Sequence, residues 1–154
     1  MTKALLFLHL ASAFVLVGGT ISAGILQISA LRRERPSEIA VLLRTARTAV
    51  MFTSAGGLGT LVFGLALVGH LDVGFGTGWV SGSIGLWVAS MALGGAGGRT
   101  ARHARSLAER LAREDDRPND ELRALVAHRP SLLLSYAATV AIVAILVLMV
   151  WQPG

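Results

Sequence analysis

The side chains best suited to bind a cofactor are two histidines, His9 and His70. Neutral imidazole nitrogens ligate haem iron and copper ions, and the thioether of Met149 is a further ligand for either metal. A structural role is the alternative. His9 would then hydrogen-bond to a neighbouring helix, and His70 would stabilise the C-terminus of the helix that it ends. The ligand interpretation requires a fold that brings the two imidazoles to the same depth.

A polar stripe accompanies the first histidine. Thr20 and Gln27 follow His9 after 11 and 18 residues. On a helix that turns 100° per residue, the three side chains lie within about 20° of one face. Polar groups that face lipid are costly, so this stripe is expected to point into a helix bundle. The same stripe suits a small-solute transporter, which would have to be an oligomer or enclose a polar cavity.

Long uncharged segments dominate the chain. Lys3 and Arg32 bracket 28 uncharged residues, and no charge occurs in the 25 residues after Arg129. Because about 20 apolar residues cross a bilayer as a helix, four such segments indicate one all-α domain over residues 1–154, an up-down four-helix transmembrane bundle. The predicted helices are residues 4–31, 48–70, 79–98 with an extension to about 114, and 131–151, with polar loops at 32–47 and 99–130.

The basic residues predict the orientation of these helices. Of the 14 Lys and Arg residues, all but Lys3 lie in the two polar loops. Positive residues stay on the cytoplasmic side during insertion. Both termini and the short turn around Asp72 are therefore expected on the non-cytoplasmic side, together with His9 and His70. The abundance of arginine, alanine and glycine is typical of a GC-rich bacterial genome, which favours the bacterial plasma membrane as the location.

Composition and placement of charge exclude several classes of function. The chain has no cysteine, so thiolate metal sites and disulfides are excluded. No acidic residue lies in the middle of a predicted span, which disfavours a proton-coupled exporter. No nucleophile, base and orienting group occur together, so an enzyme is not the favoured interpretation. The net charge of +5 is explained by topology and anionic lipid, and nucleic-acid binding is not expected.

Glycines predict how the helices meet. In lipid, no hydrophobic driving force brings helices together, so their association depends largely on close packing through small residues. Helix two carries Gly56, Gly57, Gly59 and Gly64, and helix three ends in a glycine cluster at 94–98. These faces are expected to bring helices two and three together. They also offer surfaces for a homo-oligomer or for a larger membrane complex.

Short motifs along the chain resemble a known family. They are Leu5-Leu6-Phe7-Leu8-His9-Leu10, the Arg44-Thr45-Ala46-Arg47 entry to helix two, and the terminal Leu148-Met149-Val150-Trp151-Gln152-Pro153-Gly154. The chain resembles a bacterial family of small predicted four-helix integral membrane proteins of unknown function. That family is distantly similar to the membrane domain of copper-resistance protein D and to HemJ-type protoporphyrinogen oxidases. This resemblance implies a haem or copper role for His9 alone.

Three functions are therefore open at the level of the sequence. The first is a protein that binds haem b or copper near the outer face, through His9 and His70 with Met149 as an alternative metal ligand, for electron transfer or metal handling. The second is a non-catalytic accessory or assembly subunit of a membrane complex. The third is an oligomeric small-solute transporter that uses the stripe of Thr20 and Gln27.

Overall fold

The protein is entirely helical in the part of the chain that the structure describes. The structure is a computed structural model, and it describes residues 2–71, 74 and 76–151. Its five helices are α1 Thr2–Leu31, α2 Pro36–His70, α3 Gly78–Glu114, α4 Asp120–Val126 and α5 Arg129–Trp151. Four of them are long and apolar enough to cross a membrane, α4 leading into the last span. The prediction of an all-α polytopic membrane bundle is confirmed.

The helix α2 is longer than the sequence indicated, because it begins at Pro36 rather than near residue 48. Proline suits the first turn of a helix, where its missing N–H would have no partner. Arg35, with extended backbone, precedes it, and Ile39 and Leu43 then bury one side of the new turns. The predicted 32–47 loop is thus a tight turn over 32–35. The predicted turn around Asp72 falls partly outside the described residues, as do residues 152–154.

The best-buried core of the bundle lies at its arginine-rich end, the end formed by residues 32–47 and 99–130. Every helix except α5 contributes to it. The residues that are almost fully buried there are Ala30 of α1, Ala104 and Ala108 of α3, and Leu122 of α4. Water surrounds this end of a membrane protein, so burial of apolar surface stabilises it as in a soluble domain. Asn119 caps α4 by accepting a hydrogen bond from the Leu122 amide at 3.0 Å.

Within the membrane span, α1 and α2 form one closely packed antiparallel pair. Gly56 lies directly against the backbone of α1, where a Cβ would overlap Leu16 N and come within 2.8 Å of Ser12 O. One turn further, a Cβ on Gly59 would meet Ser12 Oγ at 2.5 Å. On the α1 side, a Cβ on Gly19 would lie 2.9 Å from Ala49 O. The two backbones can touch only because these positions lack a side chain.

A second antiparallel pair, α3 and α5, packs in the same way. Ser131 Oγ donates a buried hydrogen bond of 2.7 Å to Gly97 O, and a Cβ on Gly97 would lie 3.1 Å from Ser131 O. The two pairs meet along α2 and α3. There, the indole Nε1 of Trp87 donates to Gly57 O at 3.0 Å. Within the membrane span, the two helix pairs are thus joined by this polar contact and by the surrounding apolar side chains.

Asp116 ties the end of α3 to the start of α2. Its carboxylate accepts two hydrogen bonds of 2.7 Å, one from the Ser37 amide and one from the Ser37 hydroxyl. Its backbone φ of 49° lies in the left-handed region, which aspartate and asparagine tolerate better than other non-glycine residues. The Ser37 hydroxyl and amide hydrogen bonds, with Arg35 nearby, lower the pKa of the Asp116 carboxyl. A first-turn amide of α2 is satisfied in this way from another helix.

The first prediction concerns the contact at Gly56. We expect Gly56→Ala to destabilise the protein by about 1–3 kcal/mol, because the new methyl group meets rigid backbone rather than a flexible side chain. The matched control is Gly24→Ala, since a Cβ at Gly24 meets nothing within 4 Å. The control should be neutral or slightly stabilising. Thermal unfolding in mild detergent, followed by circular dichroism, measures both. Equal stability of the two variants would contradict the close packing of α1 on α2.

The second prediction concerns the pH dependence of the tie at Asp116. A carboxyl whose folded pKa is lowered stabilises the fold above its unfolded pKa, near 4, and that contribution is lost as the pH falls through the folded value. The unfolding temperature should therefore fall below pH 4. Asp116→Asn keeps the backbone conformation but removes the charge. The unfolding temperature of this variant should therefore fall less at low pH than that of the wild type. Asp115→Asn, which alters an exposed neighbouring carboxylate, should retain the pH dependence of the wild type. If Asp115→Asn weakens that pH dependence as much as Asp116→Asn does, the effect does not come from Asp116.

Candidate functional site

The candidate site is centred on His9, which α1 holds half-buried against α2. The ring nitrogen Nδ1 lies 3.0 Å from the carbonyl oxygen of Thr60. A carbonyl can only accept, so Nδ1 carries the proton and donates it. The neutral imidazole then has its lone pair on Nε2. This is the arrangement by which proteins orient a metal-ligating histidine, with one ring nitrogen bonded to a backbone carbonyl and the other left for the ligand.

Glycine makes room for the ring. A Cβ on Gly64 would lie 3.1 Å from Cε1 of His9 and 3.3 Å from its Nδ1. The Nδ1–Cε1 edge of the imidazole therefore lies against Gly64 of α2, one turn beyond the carbonyl that holds it. Thr60 itself is buried, and its hydroxyl donates to Gly56 O at 2.8 Å. The position of the ring is consequently set by the same glycine-lined contact that joins α1 to α2.

The second predicted ligand, His70, lies at the end of α2 and is exposed. It follows Gly64 by six residues, which places it about 9 Å farther along the helix and about 120° around its axis. The ring of His9 makes its close contacts with Thr60 and Gly64, and in the described part of the chain no hydrogen bond joins the two histidines. The structure brings them to the same end of the bundle but not to one another.

The other predicted site residues are spread over two helices. Met149 is half-buried on α5, which packs along α3 rather than along α1. Thr20 donates to Leu16 O at 2.8 Å, so its hydroxyl is satisfied within α1. Gln27 is half-buried near the other end of α1, toward the arginine-rich end. The stripe exists as a face of α1, and its use in transport stays a prediction.

The donor set restricts the kinds of cofactor that His9 could hold. Among the described residues, no three His, Cys, Asp or Glu side chains form a group that could hold a metal ion. A bare copper ion needs several protein ligands. Haem brings four nitrogen ligands of its own and needs only axial ones from the protein. The residues around His9 therefore fit haem better than copper.

Comparison with known proteins gives a family but no function. The model of a family described as a predicted integral membrane protein family, DUF2269, matches residues 3–153. The chain belongs to this family. No curated protein and no solved structure matches it. The DUF2269 match confirms the resemblance to a family of integral membrane proteins of unknown function, whereas the distant similarity to copper-resistance protein D and to HemJ-type proteins stays a prediction.

Sequence reasoning missed two polar features of this DUF2269 protein. The first is the indole N–H of Trp87, which ties α3 to α2 at Gly57. A tryptophan in mid-span is a signal for such a bond, because its N–H needs a partner where water is excluded. Ser90 and Ser131 also bond to backbone carbonyls inside the bundle. The buried hydroxyl of Ser83 alone has no partner in the described part of the structure.

Proposed function

We propose that this protein binds haem, or alternatively copper, near the outer face of the membrane, with Nε2 of His9 as the protein ligand. The observation that carries the proposal is the hydrogen bond from Nδ1 of His9 to Thr60 O, because it fixes the tautomer with a free lone pair on Nε2. Haem so bound would supply one-electron redox chemistry, which suits electron transfer or metal handling. The resemblance to copper-resistance protein D and HemJ-type proteins supports the same histidine.

The chain's own residues have distinct parts in this proposal. Thr60 and Gly64 hold and support the ring, so His9 keeps one orientation. His70, near the same end of the bundle, would hold the group as a second protein ligand, and Met149 would add a thioether ligand. The ring lies half-buried on the α2 side of α1. This position would limit the access of water to a bound iron. The same hydrogen bond is what the structural alternative requires, in which His9 only joins α1 to α2, and the optical spectrum distinguishes the two.

The third prediction is the optical spectrum of the full chain, purified in mild detergent from cells supplied with haem and copper. The wild type should show a Soret band that sharpens and shifts with dithionite. His9→Ala should lose at least about 90% of the bound cofactor while its helical circular dichroism is unchanged. Gly64→Ala, whose methyl group would crowd the ring, should shift the band or lower its occupancy. Metal analysis on the same samples distinguishes haem iron from copper.

Two controls make this experiment decisive. His103→Ala removes an exposed histidine at the arginine-rich end and should leave the spectrum unchanged. His70→Ala tests the second axial ligand, and a change from a six-coordinate to a five-coordinate spectrum would assign it. A colourless, metal-free wild type, or full cofactor occupancy in His9→Ala, would overturn the proposal.

We also propose that both termini lie outside the cytoplasm, in a bacterial plasma membrane. The support is the segregation of 13 arginines to one end of the bundle, which the positive-inside rule places in the cytoplasm. In the structure, the buried side chains of α4 lie at this same arginine-rich end. The outward position of His9 follows from this orientation.

The fourth prediction tests that orientation, and the absence of cysteine makes it direct. Thr2→Cys places one thiol at the start of α1, and Arg117→Cys places one after α3. In spheroplasts, a membrane-impermeant maleimide should label Thr2→Cys and should reach Arg117→Cys only after the cells are lysed. The reverse pattern would invert the topology and would move His9 to the cytoplasmic side.

A non-catalytic accessory or assembly subunit is the second candidate function. It is favoured by one observation, an exposed face of small residues on α3 that runs along the membrane span. This role does not compete with cofactor binding, because α3 does not carry His9.

A further inference from the structure

The buried side of α3 shows how this helix packs. Ser83, Ser90, Gly97 and Ala104 are buried and recur every seven residues. A seven-residue repeat is the period of left-handed helix packing, in which two helices stay in contact over a long distance. The residues of this repeat are small, as expected where helix backbones approach closely in lipid. At Gly97 the repeat meets Ser131 of α5 directly.

The opposite side of α3 carries a second repeat with the same period, and nothing in the described part of the chain covers it. Gly85, Ala92, Arg99, Ser106 and Arg113 recur every seven residues, and all five are exposed. This set lies two positions, or about 200°, from the buried repeat. Its length from Gly85 to Arg113 is about 42 Å at 1.5 Å per residue.

Four interleaved residues complete this second repeat. Ala89, Ala96, His103 and Arg110 fall between its members, give the alternating spacing of four and three residues, and are likewise exposed. That spacing is the one by which a helix presents a continuous seam to another helix. We name the nine positions together the outer stripe of α3.

The membrane half of the outer stripe differs from the other lipid-facing surfaces of the protein. On α1, Phe7 and Phe14 are 70% and 77% exposed, and on α5, Val140 is 67% exposed. In contrast, the outer stripe shows only glycine and alanine up to Ala96, and a Cβ on Gly85 would meet nothing within 4 Å. Val88, 56% exposed, lies at the edge of the stripe. Small residues in this spacing are typical of helix–helix contacts, whereas lipid contacts are made by bulky side chains.

The other half of the outer stripe is positively charged. Arg99, Arg110 and Arg113 form no ion pair in the described part of the structure, whereas Arg105, on the side of α3, pairs with Glu109. A second copy of the chain in the same orientation would place these arginines against their own equivalents, which is destabilising. The stripe is therefore complementary to an acidic helix and not to itself.

Lipid headgroups do not account for the whole charged half. Arg113 lies 14 residues beyond Arg99 on one continuous helix, which is about 21 Å. The field of an anionic membrane surface falls off within a Debye length of about 8 Å at physiological salt. Lipid thus explains Arg99, at the edge of the span, whereas Arg110 and Arg113 lie beyond the field of the membrane surface and form no ion pair in the described part of the chain.

We propose that the outer stripe of α3 docks a transmembrane helix of another membrane protein, and that this helix continues beyond the bilayer with acidic residues at its packing positions. The small residues up to Ala96 admit the partner within the membrane, and Arg99, Arg110 and Arg113 bind its acidic extension. The proposal goes beyond cofactor binding and holds whether or not His9 is a ligand.

The fifth prediction is tested with a synthetic probe and the full chain. The probe is a leucine–alanine transmembrane helix with alanine at its packing positions, followed by a helical tail with glutamate at those positions. A second probe has glutamine in place of each glutamate. Energy transfer between the labelled chain and each labelled probe is measured in phosphatidylcholine vesicles. We expect the glutamate probe to bind about tenfold more tightly, and added salt to reduce that difference.

Variants of the chain assign the contact to the outer stripe. Ala92→Leu adds bulk on an exposed face, so it should leave the fold intact and weaken the binding of both probes about tenfold. Its matched control is Val140→Leu on α5, which should leave the binding of both probes unchanged. The pair Arg110→Gln and Arg113→Gln should remove the preference for the glutamate probe. Arg32→Gln, in the other polar loop, should retain it. Circular dichroism verifies that each variant is folded.

Three outcomes would overturn the proposal. The first is equal binding of the two probes, or binding that Ala92→Leu leaves unchanged. The second is energy transfer between two labelled copies of the chain that Ala92→Leu abolishes, which would assign the outer stripe to a homodimer. The third is loss of the preference for the glutamate probe in phosphatidylglycerol vesicles at physiological salt, which would assign the arginines to lipid.

Discussion

The backbone contact between α1 and α2 at Gly56 is the constraint on which the rest of the membrane part depends. Lipid provides no hydrophobic force between helices, so the pair is held by packing and by polar bonds that need short distances. The His9 ring reaches Thr60 only because Gly56, Gly59 and Gly64 let α1 lie on the surface of α2. The next residue, Gly57, accepts the indole N–H of Trp87 and so anchors α3 to the same surface. One row of glycines thus positions both the candidate site and the second helix pair.

A different force stabilises the arginine-rich end. There, water is the solvent, and the buried alanines and leucines of α2, α3 and α4 gain free energy from leaving it. Apolar burial alone does not fix how the helices are oriented. Hydrogen bonds such as those from Ser37 to Asp116 fix the end of α3 relative to the start of α2. This division explains why the most deeply buried hydrophobic side chains of the protein lie outside the span, while its lipid-facing side chains are largely exposed. The loop end fixes how the helices enter the membrane, and the glycines fix how closely they meet inside it.

The sequence was sufficient for the spans because a charge-free apolar segment of bilayer length is long enough to cross the membrane and has no charged side chain to face water. It was insufficient for the exact start of α2. The helical spacing of Ile39, Leu42 and Leu43 allowed a helical lead-in within the connector, and the burial of Ile39 and Leu43 shows that these residues belong to α2 itself. His9 was identified from its residue type and depth. Its partner was not, because a backbone carbonyl has no signal in the sequence. The pairing with His70 was predicted from depth alone and stays a prediction, since on α2 His70 lies about 120° around the helix axis from Gly64.

The candidate site and the outer stripe lie on different helix pairs, and the charged half of the stripe also lies at a different depth from His9. The contact of Trp87 with Gly57 sets the register of α3 on α2. From that register, Arg99 lies at the level of about residue 45 of α2, whereas His9 lies at Gly64, a difference of roughly 28 Å. The acidic extension of a partner helix, bound at Arg99 and beyond, is therefore too far along the bundle to contact the imidazole or Gly64. The two pairs are linked within the span by Trp87 and Gly57, and at the arginine-rich end by Asp116 with Ser37 and by Arg44 with Glu109. Substitutions in the candidate site of α1 and α2 should therefore leave the outer stripe of α3 unchanged. Substitutions in the charged half of the outer stripe should likewise leave the candidate site unchanged.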